Sequence, residues 1–451
     1  MKKYPIYKDS GIEWLGEIPE NWVLIRLKFL LSGNLKYGAN ESGEYENHEH
    51  PRYIRITDFD NAGKLRDDTF KSLSPEVAEE YLLQEGDVLF ARSGATVGKT
   101  FIFKNFNGRA CFAGYLIKAT PNKNLLLPEF LYQVTLSNHY KNWKNSVFIQ
   151  ATIQNIGADK YQNLLIPTPP LPEQTAVVSF LDHKTQQIDD LIAKKERLIE
   201  LLKEERTAVI NQAVTKGLDP NVPMKDSGIE WLGEIPEHWE VKSLKRICII
   251  NPQKSEIDII KFDYAVFLPM EKVGEDGTYD SSGVYPTKEL VNGYTYFCKG
   301  DIILAKITPC FENGKGAILN NLPTQIGFGS TEFHVIRPLK NKSEGHYIYF
   351  LTYSEIFKSL GEAYMTGAAG QKRVPTSFIE NFKFPIPPYD EQKIIAQEIS
   401  MLNFEIDNTT IYIRRQIELL KEYKTSLINS AVTGKIDVRE YYMHYETAGR
   451  I

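Results

Sequence analysis

The chain has 451 residues, of which 42% are hydrophobic and 25% charged, and its formal net charge is −5. This length predicts two to four domains, and the composition is that of a globular protein with room for more than one hydrophobic core. No apolar run approaches the ~20 residues of a membrane span and none follows the first residues, so we expect neither a membrane anchor nor a secretory signal.

The first element is a lead-in segment that occurs twice. Lys8–Glu20 and Lys225–Glu237 have the same letters, KDSGIEWLGEIPE, at an offset of 225 − 8 = 217 residues. Chance identity over such a run is negligible, so the chain is an internal duplication. We therefore expect the function to use two similar units.

An insert with mixed strands and helices follows the first lead-in. Tyr53–Ile56, Asp87–Ala91 and Lys99–Phe103 are rich in β-branched and aromatic residues between Gly, Asp and Asn breaks, which predicts strands. Pro128–Val134 is predicted as a short helix. The insert is thus typical of a compact α+β domain.

Basic charge is concentrated in one part of this insert. From Val88 to Pro128 there is no Asp or Glu, although the stretch contains several Lys and Arg residues. The negative average charge argues against a general nucleic-acid binder, because DNA affinity comes largely from neutralised phosphates. A polarised insert nevertheless suits a DNA-facing surface. The alternative is a chance gap in the acidic residues of a solvated surface.

A long helix is predicted after the insert. It follows the pair Pro169-Pro170 with Glu173-Gln174, and it ends at Gly217, a common C-terminal stop. Its apolar residues fall on a seven-residue repeat that Lys195 interrupts. The predicted seam residues are Leu181, Ile188, Leu202 and Val209.

The second half repeats this plan. Gly300–Lys306 mirrors Gly86–Arg92, and His346–Leu360 is predicted as a helix. A second long helix follows Pro387-Pro388 and ends at Gly434. Its predicted seam residues are Ile399, Ile406, Ile413, Leu420 and Leu427. Matched seams favour a coiled coil between the two long helices, and separate burial of each helix against its own domain is the alternative.

No segment has a complete catalytic motif. Gly94–Thr100 resembles a phosphate-binding loop but has three residues between its glycines, where that loop needs four. Ile386 precedes Pro387-Pro388-Tyr389, where an adenine methyltransferase needs Asn or Asp. The cysteines form no CxxC pair or His/Cys cluster, which argues against zinc and disulfides and favours a cytoplasmic location. We therefore expect no catalytic residue, metal or cofactor in this chain.

Polar loops in both inserts carry the residue types that read DNA. Arg is the usual reader of guanine and Asn or Gln of adenine, while Lys contacts to phosphate fix the register. The predicted DNA-contact residues are Arg92, Ser93, Thr96, Lys99, Lys104, Gln150, Thr152, Gln154, Asn155, Lys306, Thr308, Lys315, Gln371, Lys372 and Arg373. The partner of the loop Gln150–Asn155 in the second copy is Gly370–Val374. Gln154 and Asn155 align with Lys372 and Arg373, so the same positions have amides in one copy and cations in the other. Surface loops that diverged without a role in recognition are the alternative.

Together these features resemble the specificity subunits of type I restriction–modification systems. The resemblance rests on Asp9–Gly16 with Trp22, on the second copy Asp226–Trp239, on Gly370–Arg373, and on the proline pairs that open the long helices. It covers essentially the whole chain. One departure is that Gln150–Asn155 lacks the Gly-Gln-Lys-Arg form.

The resemblance implies two target-recognition domains, each reading one half of a bipartite, asymmetric double-stranded DNA site. It implies that the two long helices form an antiparallel coiled coil that sets the spacing between the half-sites. It further implies two modification subunits that carry S-adenosylmethionine, and restriction subunits that use ATP and Mg²⁺.

The predicted fold is therefore α+β, with two similar target-recognition domains joined by an antiparallel coiled coil in a pseudo-two-fold repeat. The predicted boundaries are 1–168 for the first domain with its lead-in, 169–217 for the first helix, 218–386 for the second domain, 387–435 for the second helix and 436–451 for a C-terminal tail. The predicted function is non-catalytic DNA recognition. A coiled-coil scaffold without specific DNA binding, and an enzyme with a hydrolytic site in the insert clefts, are the alternatives.

Overall fold

The structure is a computed structural model that describes residues 2–43, 46–60, 63, 65–94, 96–149, 155–256, 258, 261–368 and 370–441. The chain divides into two compact units. The first unit comprises Met1–Lys195 with Arg414–Ile451, and the second comprises Glu196–Ile413. Each unit therefore combines one insert with parts of both long helices.

The first unit is built on a small antiparallel sheet. Its strands are β1 (Tyr7–Asp9), β2 (Glu17–Pro19), β3 (Val23–Arg26), β4 (Lys36–Tyr37), β5 (Arg52–Ile54), β6 (Val88–Ala91), β7 (Thr100–Ile102), β8 (Ala110–Phe112), β9 (Leu116–Ala119) and β10 (Leu165–Thr168). Its helices are α1 (Pro75–Ala78), α2 (Pro128–Thr135), α3 (Asn138–Ile149), α4 (Ala158–Tyr161) and the first part of α5 (Leu171–Lys216). The main sheet has the order β4-β9-β6-β7, and β5 pairs in parallel with β8.

The second unit repeats this arrangement and extends it. Its strands are β11 (Met224–Asp226), β12 (Glu234–Pro236), β13 (Glu240–Ser243), β14 (Cys248–Ile250), β15 (Tyr264–Leu268), β16 (Val284–Pro286), β17 (Thr295–Cys298), β18 (Ile302–Ala305), β19 (Gly316–Ile318), β20 (Ile326–Gly329), β21 (Phe333–Pro338) and β22 (Lys383–Ile386). Its helices are α6 (Thr287–Leu290), α7 (Gly345–Tyr353), α8 (Glu355–Ala363), α9 (Thr376–Asn381) and the first part of α10 (Tyr389–Val432).

The two units share one strand topology. The sheet β14-β21-β18-β19 matches β4-β9-β6-β7, and the parallel pair β15–β20 matches β5–β8. In the second unit β16 and β17 enlarge that parallel pair to four strands. The predicted α+β fold with two similar domains is confirmed.

The long helices pack against each other in opposite directions within each unit. In the first unit Lys424 bonds Asp189 at 2.7 Å, while Lys195 donates to Gln416 further along α5. Residue numbers rise on one helix as they fall on the other, so the pairing is antiparallel, as expected. In the second unit Arg206 of α5 pairs with Asp407 of α10.

The seam of the helix pair is apolar except where Lys195 faces Gln416. Leu181, Ile188, Ile399, Ile406, Ile413 and Leu427 are buried, and Leu202, Val209 and Leu420 are half-buried. Lys195, which interrupts the seven-residue repeat, places its ammonium group on the side-chain oxygen of Gln416. The polar residue in the seam of α5 is thus paired with a polar residue in the seam of α10.

Each unit has a core in which sheet, short helices and long-helix ends meet. In the first unit Phe90 of β6 and Phe130 of α2 belong to the same buried cluster as Val177 of α5 and Ala431 of α10. In the second unit, residues of the sheet likewise share one buried cluster with Val214 of α5 and with other residues of both long helices. The ends of the long helices are therefore integral to the folding of each unit.

Several element predictions need correction. The predicted single helix His346–Leu360 is wrong, because Ser354 has an extended ψ of 145° and its hydroxyl accepts from the backbone N–H of Phe357. The predicted strand Tyr53–Ile56 ends at Ile54, since the carboxylate of Asp58 accepts from the N–H of Arg55 and closes a turn.

Prolines precede the starts of the long helices, and glycines follow their ends. Each begins directly after its proline pair, so the Glu-Gln pair lies in the first turn rather than before it. Gly217 and Gly434 follow the helix ends at φ +79° and +71°, a left-handed conformation that favours glycine. Within the described part of the chain, no helix is long and apolar enough to cross a membrane.

Candidate nucleic-acid interface

A buried glutamine ties each insert to its long helix. The Nε2 of Gln174 donates to the carbonyls of Pro169 and Leu125, both at 2.9 Å. Its Oε1 accepts from the N–H of Leu127 at 2.8 Å. Gln392 makes the same three kinds of bond in the second unit, at 2.9–3.1 Å. The insert therefore has a fixed orientation on the helix start.

A buried tryptophan ties each lead-in to the same place. Trp22 and Trp239 have no exposed surface, and each donates its indole N–H to a carboxylate oxygen at 3.0 Å. The acceptors are Glu173 and Glu391, which adjoin the two glutamines. These bonds explain why the lead-in and the Glu-Gln pair occur together in both halves.

On this frame, the loop after the central strand meets the second polar loop in each unit. The carbonyl of Arg92, after β6, accepts from the N–H of Ile156 at 2.8 Å. The carbonyl of Lys306, after β18, accepts from the N–H of Val374 at 2.9 Å. Arg92 and Asn155 are therefore neighbours in the first unit, and Lys306 and Arg373 are neighbours in the second.

A third residue completes each of these clusters. The N–H of Arg92 donates to the carbonyl of Tyr115 at 3.0 Å, and that of Lys306 donates to the carbonyl of Glu332 at 2.8 Å. The same backbone bonds thus bring three positions together in each unit, the third being the residue just before Ile156 or Val374. We call Arg92, Tyr115 and Asn155 the first triad, and Lys306, Glu332 and Arg373 the second triad.

The first triad presents an arginine on an aromatic ring. The guanidinium of Arg92 lies 4.8 Å from the ring centroid of Tyr37, whose hydroxyl accepts from the N–H of Ala158 at 2.9 Å. Tyr37 is 43% exposed and Tyr115 is 68% exposed, so both rings face solvent beside the arginine. The Nε of Arg92 is buried with no hydrogen-bond partner. This surface combines cationic donors with flat apolar faces.

The second triad presents an ion pair instead. Arg373 donates from Nε and Nη2 to the two carboxylate oxygens of Glu332, at 2.9 and 2.8 Å. These bonds to Arg373 hold the pKa of Glu332 below its usual range. Lys306 donates to the carbonyl of Thr331 at 2.9 Å, and its burial lowers its pKa. The same backbone positions thus carry different chemistry in the two units.

The predicted lysines are placed differently. Lys99 shares a cavity of about 360 Å³ with Lys141 and Lys144, and burial lowers the pKa of Lys144. Lys315 donates to the carbonyl of Met270 at 3.3 Å, so it faces its own unit. Lys104 follows β7 beside the start of β6, at the opposite end of that strand from Arg92, so the structure does not bring it to the triad.

The remaining predicted residues divide into three groups. Ser93 pairs with Asn155 in an isolated antiparallel β-bridge and so lies beside the first triad. The carbonyl of Thr96 accepts from the N–H of Lys99 at 2.9 Å, in the loop that follows Arg92. The N–H of Thr308 donates to the carbonyl of Lys372 at 3.0 Å beside the second triad, and Gln371 is exposed there. Gln150, Thr152 and Gln154 lie outside the described residues. The DNA-contact role of all these residues stays a prediction.

Sequence reasoning missed Tyr37, Tyr115 and Glu332. Tyr115 directly precedes β9 and Glu332 directly precedes β21, the strands that pair with β6 and β18. The β-branched pattern of Phe333–Ile336 was the signal that could have placed Glu332 opposite the end of β18. Unless β9 and β21 are predicted, the sequence does not show which residues lie beside Tyr115 and Glu332.

The clusters suit recognition of a polar surface. Guanidinium forks, amides and carboxylates match the donor and acceptor edges of bases, and exposed rings can stack or contact methyl groups. Among the described residues, no group of three or more His, Cys, Asp or Glu side chains is arranged to hold a metal ion.

Comparison with known proteins gives a consistent family assignment. The family model described as "Type I restriction modification DNA specificity domain" matches residues 19–201 and 236–419. The two matches cover both inserts and most of each long helix.

Individual relatives match part or nearly all of the chain. The EcoEI specificity subunit of Escherichia coli is 39% identical over 213 residues, covering 47% of this chain and 35% of that protein. The EcoAI specificity subunit is 42% identical over 172 residues, covering 38% and 28%. The chain thus spans about a third of the length of these two relatives. The putative MjaX specificity subunit of Methanocaldococcus jannaschii is 26% identical over 96% of this chain and 98% of its own length.

Solved structures share the fold at low identity. A chain from a study of complex assembly and conformational transition of the type I R-M system has a TM-score of 0.69 at 15% identity, covering 93% of this chain and 99% of that one. The HsdS subunit from Thermoanaerobacter tengcongensis has a TM-score of 0.56 at 16% identity, covering 93% and 98%.

Proposed function

The chain belongs to the type I restriction modification DNA specificity family, and on that premise we propose that its two units each read one half of a bipartite DNA site. The observation that carries the proposal is the pair of triads. Identical backbone bonds join Arg92 to Tyr115 and Ile156 in one unit and Lys306 to Glu332 and Val374 in the other. They bring Asn155 and Arg373, which precede Ile156 and Val374, to equivalent positions. One frame with different donors and acceptors suits two readers with different target bases. A scaffold without specific DNA binding has no use for such variation.

The chain itself acts as a non-catalytic subunit. In this proposal, modification subunits bind S-adenosylmethionine and transfer the methyl group, and restriction subunits use ATP and Mg²⁺. The antiparallel helices set the distance between the two half-sites. The role of this chain is differential binding of DNA sequences.

The first test separates base reading from phosphate contact. Arg92→Ala should cost roughly 1–3 kcal/mol of binding to the preferred duplex and relax its sequence preference at one position. Lys99→Ala should weaken binding to all duplexes and reduce the salt slope by about 1. Titration of the full chain with specific and random duplexes at several salt concentrations measures both effects. Unchanged affinity and salt slope in both variants would support the scaffold instead.

Docking of two identical partners is supported by a second repeated surface. The segments Ile199–Glu204 and Ile417–Glu422 have the same sequence, and each turns its isoleucine inward. The next leucine of each points outward: Leu201 is 44% exposed and Leu419 is 46% exposed. Exposed apolar residues repeated in both units are what two copies of one partner would contact.

This docking surface has a matched control on the same helix. Leu198 is 43% exposed, but its counterpart on α10 is Gln416, so it is not repeated. Leu201→Asp should reduce the number of bound modification subunits from two to one, and the double variant with Leu419→Asp should bind none. Leu198→Asp should still bind two. Native mass spectrometry of the complexes counts the subunits, and equal stoichiometry in all variants would reject this surface.

A further inference from the structure

The second triad contains a carboxylate where the first triad has a tyrosine. Glu332 and Tyr115 occupy the same backbone position, because each carbonyl accepts the N–H of the residue that follows the central strand. A carboxylate on a DNA-facing loop repels phosphates, so it needs a compensating role. Its partner Arg373 indicates that role.

The hydrogen-bond donors of Arg373 can be counted. A guanidinium has five N–H donors in a fixed plane. Two of them, on Nε and Nη2, bond Glu332 at 2.9 and 2.8 Å. A third, on Nη1, bonds the carbonyl of Gln371 at 3.2 Å. One donor on Nη1 and one on Nη2 remain, and these two nitrogens form the end-on edge, or fork, of the guanidinium.

That remaining fork has the form that reads guanine. Two parallel donors match the O6 and N7 acceptors of guanine in the major groove. Arg373 is 45% exposed and Glu332 is 28% exposed by side chain, so the bond to Glu332 is at the surface and the fork is accessible. Three bonds from the protein fix the plane of the guanidinium before DNA arrives.

We propose that Glu332 is a positioning residue that orients Arg373 to read a guanine in the half-site of the second unit. This inference rests on the proposed DNA-reading function and names the base class at one position. The first triad lacks the carboxylate and orients Arg92 by the ring of Tyr37 instead. The two units thus fix an arginine by two different devices.

The test uses two effects of opposite sign. Glu332→Gln removes the charge and one of the two bonds, so guanine preference at one position should fall by about 10-fold. The same change removes a repulsive charge, so affinity for a random duplex at low salt should rise by about 2- to 5-fold. A merely structural role would lower both quantities. Enrichment from a randomised duplex library and titration with a random duplex measure them on the full chain.

Two further variants keep the test decisive. Arg373→Lys retains the charge but lacks the fork, so it should lose guanine preference with random-duplex affinity retained. Glu355→Gln removes a carboxylate that pairs with Lys358 at 2.6 Å in the same unit, and should change neither quantity. If the unmodified chain enriches a split site and both triad variants enrich the same bases, the inference on Glu332 is wrong. If the unmodified chain enriches no sequence, the proposed function itself fails.

Discussion

At the scale of single residues, two buried histidines brace the loops of the units in neutral form. His139 accepts at Nδ1 from the indole of Trp14 at 3.3 Å, and its Nε2 bonds the carbonyl of Leu165 at 2.8 Å. His334 lies between the side chain of Asn251 and the carbonyl of Val374, at 3.3 and 2.9 Å. One ring nitrogen must accept and the other donate, so each site requires an uncharged ring.

The pH dependence of stability follows from His334. Burial lowers its pKa to about 4, from 6.5 in an unfolded chain. The unfolded state then binds more protons below pH 6.5, so this group's contribution is complete above that pH and is lost progressively down to about pH 4. At pH 5 the loss relative to pH 7.5 is roughly 2 kcal/mol.

The measurement is urea unfolding between pH 7.5 and 5. His334→Gln should flatten the pH dependence over this range. An identical slope in the unmodified chain and the His334 variant would contradict the assignment.

At the scale of elements, the copied lead-in and the copied Glu-Gln pair make the hydrogen bonds that join each insert to its long helix. Gln174 is fully buried and satisfies three backbone groups at the junction of insert and helix. Trp22 ties the lead-in to the same junction by a side-chain bond, from its indole N–H to the carboxylate of Glu173. Such bonds need particular atoms at particular distances, so they restrict sequence more strongly than apolar packing does.

Removal of this junction should therefore destabilise the first unit. Gln174→Ala leaves buried backbone donors and acceptors without partners, which should cost roughly 2–4 kcal/mol of unfolding free energy. Gln186→Ala, on the exposed side of the same helix, should change stability by less than about 0.5 kcal/mol. Urea titration of both variants checks the difference. A cost for Gln174→Ala as small as that of Gln186→Ala would show that water satisfies the junction.

The elements also show what a single sequence can reveal. Seven-residue spacing identified both long helices, and β-branched and aromatic residues identified the strand before Arg92, because these signals are local. The break at Ser354 was missed, since one serine that caps the next helix interrupts an otherwise continuous apolar pattern. Tyr115 and Glu332 were missed because their neighbours come from strand pairing between residues distant in sequence.

At the scale of the whole molecule, one polypeptide carries two similar units on a duplicated frame, and we propose that each unit reads one half-site. The core of each unit contains the end of one long helix and the start of the other, so each insert shares its core with both long helices. The predicted domain boundaries at 168, 217, 386 and 435 stay predictions, and each compact unit contains parts of both long helices. Changes to one insert should alter one half of the recognised site only.

The most direct test is a map of modified bases in DNA from a host that expresses the complete system. The unmodified chain should give two specific half-sites separated by a fixed non-specific spacer. Replacement of 21–168 by the corresponding insert of another family member should change one half-site and retain the other half-site and the spacer. A continuous target, or loss of both half-sites after the replacement, would contradict the account of two independent readers on one frame.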